Sequence, residues 1–421
     1  MLIEFSVNNY KSFKDKTTFS MEMGNGNEYL ENIFKVGKLS LLKTSAIYGA
    51  NASGKTNLIE AMKTAINLIR KSNINQVDSK LYTMVPFSFN NDSTNKPCEF
   101  EFIFVYNNIK YKYGFSADIN KIYNEYLYIY YSQKPTMIFD RKNTNNYEFL
   151  LEDKNKLIDL SKRNSDNKLF LATATTWNYD KTKDAYLWFA NSINVYINLN
   201  STIYDGLIKQ YKDMELKKFT LKLLKETDID IKDYYIEPNN NYSKVTELDI
   251  YNNLKDFYDS MYYDINDSLK NYHINVSHEI IDELGNKKIY DINFDDESSG
   301  TKLLFGLAPM LKKIFDSPGV LIIDEFERSM HPTLTEFIVK LFNNSEINKS
   351  NSQLIFTTHD VNLLDCNIFR RDQIWFTEKN EKSGVSNLYS LNDFSVRKEE
   401  NIRKGYLNGR YGAIPFIKDN L

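Results

Sequence analysis

The stretch Gly49-Ala50-Asn51-Ala52-Ser53-Gly54-Lys55-Thr56 has the spacing G-x-x-x-x-G-K-T, and it limits what this chain can fold into more than any other run of residues. Such a loop joins a buried strand to a helix. Its glycines let the backbone turn until successive N–H groups face an anion, and the helix N-terminus adds its positive dipole end. Both flanks fit that geometry. Ser45-Ala46-Ile47-Tyr48 reads as a short buried strand, and Leu58, Met62, Ala65, Ile66 and Ile69 fall on one helical face. Lys55 is placed to reach the β- and γ-phosphates of a nucleoside triphosphate, and Thr56 to hold Mg²⁺. Gly49, Asn51, Ala52, Ser53, Gly54, Lys55, Thr56 and Asn57 are therefore the candidate nucleotide contacts.

The remainder of the chain supplies two or three domain-sized stretches. Its 421 residues are 42% hydrophobic, enough for sizeable cores, and the net charge of −3 provides no global field for nucleic acid. Cys98 and Cys366 are the only cysteines and lack metal-ligand spacing, which suits a reducing cytoplasm. No signal peptide and no run of about 18 apolar residues appears, so no membrane partner is expected. Met1 to Val7 and Asp15 to Met23 read as paired strands around a turn carrying Lys11, which either faces the nucleotide or is an ordinary turn lysine. Gly24 to Lys43 reads as a polar loop and short helix. From Cys98 to Tyr131 strict alternation with Asn-rich turns predicts antiparallel hairpins, whose aromatics suit a half-buried sheet better than a single-strand-binding face. Lys154 to about Leu284 reads as mostly helical without a sustained heptad. His273 and His278 in that lobe lack visible partners for a metal site.

After Ile289 the chain returns to phosphate chemistry. Gly319-Val320-Leu321-Ile322-Ile323-Asp324-Glu325 is a fully apolar strand ending in two acids, which are costly there unless they act. Asp324 is placed to hold Mg²⁺ and Glu325 to orient and deprotonate the attacking water. Leu354 to Phe356 is a second buried strand, and Thr357-Thr358-His359-Asp360 at its end puts an imidazole, His359, where it can bond the γ-phosphate or the water. Glu297-Ser298-Ser299-Gly300-Thr301 opens an apolar helical face and is a second anion-binding turn. The glycine- and aromatic-rich run Lys404 to Pro415 reads as an ordered docking segment.

Those four motifs, in that order, resemble the ABC-type ATPases of the SMC, RecF and OLD branch. Asn8 to Phe13 and Gly405 to Pro415 further resemble RloA-like abortive-infection ATPases of the AAA family. The resemblance implies an α/β fold: a P-loop ABC-type ATPase head with an N-terminal antiparallel β lobe and an inserted, mostly helical lobe. The expected divisions are 1–150, 151–285 and 286–421. The resemblance also implies ATP and Mg²⁺ as cofactors and a head-to-head dimer or higher oligomer. In it Ser298 and Gly300 act on the partner's ATP, Glu325, His359 and Lys55 are catalytic, and Thr56 and Asp324 hold the metal. Glu327 to Pro332 resembles the family's D-loop neighbourhood, and His331 within it is expected to be a packing residue. Two departures stand out: the signature reads Ser-Ser-Gly, and no glutamine occupies a clear Q-loop position, Gln133 included. Only 62 residues follow His359, too few for the TOPRIM nuclease domain of OLD proteins, so cutting is expected of a separately encoded effector, such as a nuclease. The function implied is that of an ATPase sensor and scaffold in phage defence. A RecF-like ATPase binding DNA in repair is the first alternative and a stand-alone phosphotransferase the second.

Overall fold

In the computed structural model, residues 1–199, 203, 210, 213–238, 272–281, 285–365, 367–395 and 400–415 are described; Cys366 lies outside them. The chain divides into two compact units. The first contains Met1–Ile197, Ile314–Glu327 and Thr335–Leu421, and the second Asn198–Lys313 and Arg328–Leu334.

The strands in chain order begin with β1 (Leu2–Asn8), β2 (Thr17–Ser20), β3 (Ile33–Val36), β4 (Leu39–Leu42) and β5 (Thr44–Gly49). Helix α1 (Lys55–Lys71) follows, and then β6 (Cys98–Tyr106), β7 (Ile109–Ala117), β8 (Ile122–Tyr130), β9 (Thr136–Lys142), β10 (Asn146–Phe149) and β11 (Ile193–Tyr196). The second unit holds β12 (Ile231–Pro238), β13 (Tyr272–Ile281) and β14 (Lys287–Asn293). The first unit resumes with β15 (Val320–Ile323), β16 (Gln353–Thr357), β17 (Ile374–Lys379) and β18 (Ser386–Ser390).

The first unit contains two large sheets. One is antiparallel in the order β10-β9-β8-β7-β6-β1-β2; the other runs β11-β15-β16-β5-β17-β18, parallel except for its last strand. The sequences dictate this division. Every residue of β5, β15 and β16 is buried, as a parallel sheet covered on both faces requires. In β6, Phe100, Phe102 and Phe104 point inward while Glu99 and Glu101 alternate outward. Helix α1 packs against β1 of one sheet and β5 and β11 of the other. Its Leu58, Met62, Ile66 and Ile69 are fully buried, each contributing about 1.5–3 kcal/mol relative to exposure.

Helices from the stretch after residue 150 complete this same core. Trp188 stacks on Phe104 with ring centroids 4.0 Å apart, and Phe189 meets Phe102 edge-on. The aromatics of β6 and β7 are thus core residues, and the outward Lys112 pairs with Glu101 at 2.9 Å. Gly24 to Lys43 differs from the loop and helix expected: it forms a 3-10 turn, Leu30–Asn32, and the β3–β4 hairpin. Gly37, at φ 61°, supplies the left-handed residue of its short loop. In the second unit the helix Met214–Glu226 packs on β12, and β12, β13 and β14 form an antiparallel sheet. Every residue of β14 is exposed, so no apolar alternation announced it. Among the described residues no helix is long and apolar enough to cross a membrane.

Candidate active site

Four neighbouring parallel strands, β15, β16, β5 and β17, end on one rim, the edge of an open α/β sheet where ligands bind. At the end of β5 the backbone leaves the sheet through Gly49, where an added Cβ would lie 2.5 Å from the carbonyl oxygen of Thr377. Gly54 has φ 119°, and a Cβ there would come within 2.6 Å of Ser386 Oγ. Side chains from β17, the strand beside β5, and from β18 hold the loop between these glycines. Ser53 Oγ meets Thr377 Oγ1 at 2.6 Å, and Ser386 Oγ donates to the carbonyl of Ser53 at 2.7 Å. Helix α1 starts at Lys55 with no side chain capping it, so its first N–H groups face outward in the arrangement that suits phosphate.

Lys55 is buried, and its Nζ donates to the carbonyls of Gly49 (2.8 Å) and Ala50 (3.1 Å). Burial lowers its pKa to about 8, against the upward pull of Asp324, Glu327 and Glu325. Thr56 is exposed beside it, and Asn57 donates to Ser12 Oγ at 2.7 Å.

The register of β15 on β16, with Ile323 beside Phe356, carries Asp324 next to Thr357. The Thr357 hydroxyl donates to Asp324 Oδ1 at 2.5 Å and accepts the N–H of Glu325 at 2.8 Å. One hydroxyl therefore fixes both acids. Burial raises the pKa of Asp324, while hydrogen bonds from Thr357 and Thr56 and the charge of Lys55 oppose the rise. A carboxylate and a threonine hydroxyl in this relation are hard oxygen ligands suited to Mg²⁺. Glu325 adopts φ 48°, a left-handed conformation uncommon for a glutamate. The next strand end presents His359. Its N–H donates to Glu327 Oε1 at 2.6 Å, and desolvation, joined by the Lys55 charge, lowers its pKa.

On the β17–β18 side of the loop lies a cleft of about 1020 Å³, lined by Ala50 to Ser53, Phe89, the Lys379–Val385 turn and Ile414. The C-terminal segment docks beside it: Tyr406, Tyr411 and Ala413 are buried, and Tyr389 Oη donates to the carbonyl of Tyr411 at 2.8 Å.

The signature-like turn belongs to the second unit. Ser298 Oγ accepts the N–H of Thr301 at 3.1 Å and lies 2.8 Å from its hydroxyl, capping the helix Ser299–Asp316. Among the described residues nothing comes nearer to a Cβ added at Gly300 than Ser329 O at 3.7 Å, so their packing does not require this glycine. His331, expected to pack, is exposed and bonds Thr333 Oγ1 at 2.7 Å at the start of the helix Pro332–Asn343. Lys11 pairs with Glu60 of α1, and Gln133 lies in the exposed turn between β8 and β9. His278 bonds Glu297 at 2.6 Å; among the described residues no three His, Cys, Asp or Glu gather to hold a metal. The sequence reading gave no role to Thr357, Glu327, Thr377 or Ser386. The one available signal was a hydroxyl closing an otherwise apolar strand, as at Thr357.

No curated protein matches the chain. Among solved structures it is similar to the SMC head domain from Thermotoga maritima, with 14% identity over 92% of this chain and 98% of that one and a TM-score of 0.41. An SMC head bound to the C-terminal winged-helix domain of ScpA has 13% identity over 96% and 99%, with a TM-score of 0.39. CbiO1 of Clostridium perfringens, part of the ABC transporter complex CbiONQ, has 13% identity over 98% and 97%, with a TM-score of 0.33. The family model described as "AAA domain, putative AbiEii toxin, Type IV TA system" matches residues 45–365, from the strand before the phosphate loop to beyond His359, and the chain belongs to that family.

Proposed function

We propose that this protein hydrolyses ATP as a head-to-head dimer and serves as the sensor and scaffold subunit of a bacterial antiphage system with a separately encoded effector. The convergence of Lys55, Asp324, Glu325 and His359 on one sheet rim, with Thr357 tying the two acids together, carries the reading. ATP lies with its triphosphate along the loop amides of Gly49 to Thr56 and its nucleoside towards the cleft beside Phe89. Thr56 and Asp324 would hold Mg²⁺, whose charge would offset that of the triphosphate. Lys55 leaves the loop carbonyls for the phosphate oxygens, Glu325 takes a proton from the attacking water, and His359 bonds the γ-phosphate. Gly300, unconstrained by the described residues, keeps the Ser298 turn clear for a second copy's ATP. The antiphage role draws on the resemblance to abortive-infection ATPases and on the putative AbiEii toxin named in the family description.

The test combines turnover with assembly. Wild-type protein should hydrolyse ATP and dimerise with it, whereas Lys55→Ala should do neither. Ser298→Arg should bind ATP as a monomer without pairing, and ATP-driven dimers of that variant would remove the shared site. Plating phage on cells carrying the gene with its neighbours, with and without Lys55→Ala, tests the defence role; equal plaque counts would remove it.

A further inference from the structure

Glu327 lies outside the residues that a phosphate loop, a metal-binding aspartate and a general base require, yet it sits among them. The chain reaches it through the turn at Glu325, and Oε1 accepts the backbone N–H of His359 at 2.6 Å. Among the described residues no group donates to Oε2, although that atom is buried. Its charge acts on both Lys55 and His359. A carboxylate that contributes to stability is surrounded by donors, since burying an unmatched oxygen is unfavourable. Here the half-buried side chain makes one hydrogen bond among the described residues, and that bond goes to the backbone of the exposed His359 at the rim.

We propose that Glu327 is a positioning residue that acts through His359. Its carboxylate reaches from the turn after β15 to the turn after β16 and fixes the His359 peptide, so that the imidazole is presented over the loop at a set distance from Lys55. The Glu325 turn and the His359 turn then move as one piece. This inference rests on the ATPase reading above.

The experiment compares Glu327→Gln, Glu327→Asp and Glu327→Ala in steady-state ATP hydrolysis, alone and in a His359→Ala background. Glutamine keeps the length and an oxygen acceptor, so it should hold kcat within about threefold of wild type. Aspartate keeps the charge but is one methylene short, and alanine keeps neither; both should lower kcat by roughly 10–100-fold with little change in KM, the scale for misplacing a reacting group by about 1 Å. In the His359→Ala background none of the three should reduce kcat further, because the residue through which Glu327 acts is gone. A purely structural role predicts additive losses in that background, and additivity would overturn the assignment. So would aspartate at wild-type kcat, which would make charge rather than reach the useful property. If Glu327→Ala does not fold, the order of glutamine over aspartate still decides. Wild-type protein without turnover would remove the ATPase reading and this inference together, whereas wild-type turnover with additive variants removes only the role of Glu327.

Discussion

Glu125 on β8 and Asp324 at the end of β15 are both buried carboxylates, and burial raises the pKa of both. Their surroundings differ in kind. Glu125 accepts the N–H groups of Phe170 (2.6 Å) and Leu171 (2.8 Å) and the Tyr113 hydroxyl (3.0 Å), and it faces Arg141 at 3.7 Å. Arg141 in turn donates to the carbonyls of Lys168 (2.7 Å) and Asp166 (3.3 Å). Every partner is a protein group, and together they lock the antiparallel sheet to the helix that starts at Phe170. At the rim, Asp324 takes hydrogen bonds from Thr357 and Thr56 beside Lys55, Glu325 occupies a left-handed turn, and Glu327 keeps one buried oxygen without a donor among the described residues. A buried carboxylate with each oxygen matched ties two elements together, whereas an unmatched oxygen at a strand end leaves a bond that a ligand can supply.

The largest effect expected separates the two clusters by what is lost. Glu325→Gln should lower ATP turnover by roughly 10²–10⁴-fold, the scale for removing a positioned base, while equilibrium nucleotide binding and the unfolding temperature stay near wild type. Turnover within threefold of wild type would take Glu325 out of the mechanism. The opposite pattern is expected of Glu125→Ala. It leaves Arg141 buried without its counter-charge and should destabilise the first unit by about 3–5 kcal/mol in denaturant unfolding, with ATP turnover per folded molecule little changed. Loss of turnover with unchanged stability would erase the distinction.

Thr357 tests how far the rim depends on one hydroxyl. Thr357→Val keeps the β-branched shape that suits β16 and removes both the bond to Asp324 and the acceptor for the Glu325 N–H. The expected cost is about 1–3 kcal/mol, the scale for leaving a buried polar partner unmatched, read as a higher Mg²⁺ concentration needed for half-maximal turnover rather than as lost ATP affinity. Thr357→Ser should retain wild-type behaviour, and a serine variant as impaired as valine would show that shape, not the hydroxyl, matters.

Legibility in the sequence follows the same division. The phosphate loop, the Asp324-Glu325 strand end and His359 could be read because each is a contiguous motif on a wholly apolar strand. Thr357, Thr377, Ser386 and Glu327 could not, since their places come from the register of strands distant in sequence: Thr357 meets Asp324 only because β15 pairs with β16. The Glu125–Arg141 pair was invisible for the same reason, as alternation gives the hairpins but not which charge turns inward. The β12–β14 sheet left little trace because β14 buries nothing. The docking segment was legible from its aromatics, and Tyr406 and Tyr411 stack on Phe376 of β17.

The smallest effect concerns the cleft, where rim and sheet meet on the β17–β18 side. Phe89 is 72% exposed, yet its ring is held in place: Phe87 meets it edge-on at 5.6 Å, Lys379 Nζ stands 5.6 Å from its centroid, and Gly384 leaves room that a Cβ would fill to within 2.7 Å. An exposed ring fixed from behind is a platform for a flat, apolar-faced group, and a nucleobase stacked on an aromatic side chain gains about 1–3 kcal/mol. Water competes for an open ring, so the lower end applies, and Phe89→Ala should weaken ATP binding by roughly five- to tenfold at about 1.4 kcal/mol per decade. Inorganic tripolyphosphate carries the charge without the base and reports on Lys55 and the loop amides alone. Its affinity should be the same for wild type and Phe89→Ala. If both ligands weaken equally, the ring supports the loop rather than the base, and the cleft is part of the scaffold that Glu125 exemplifies instead of the site that Asp324 does.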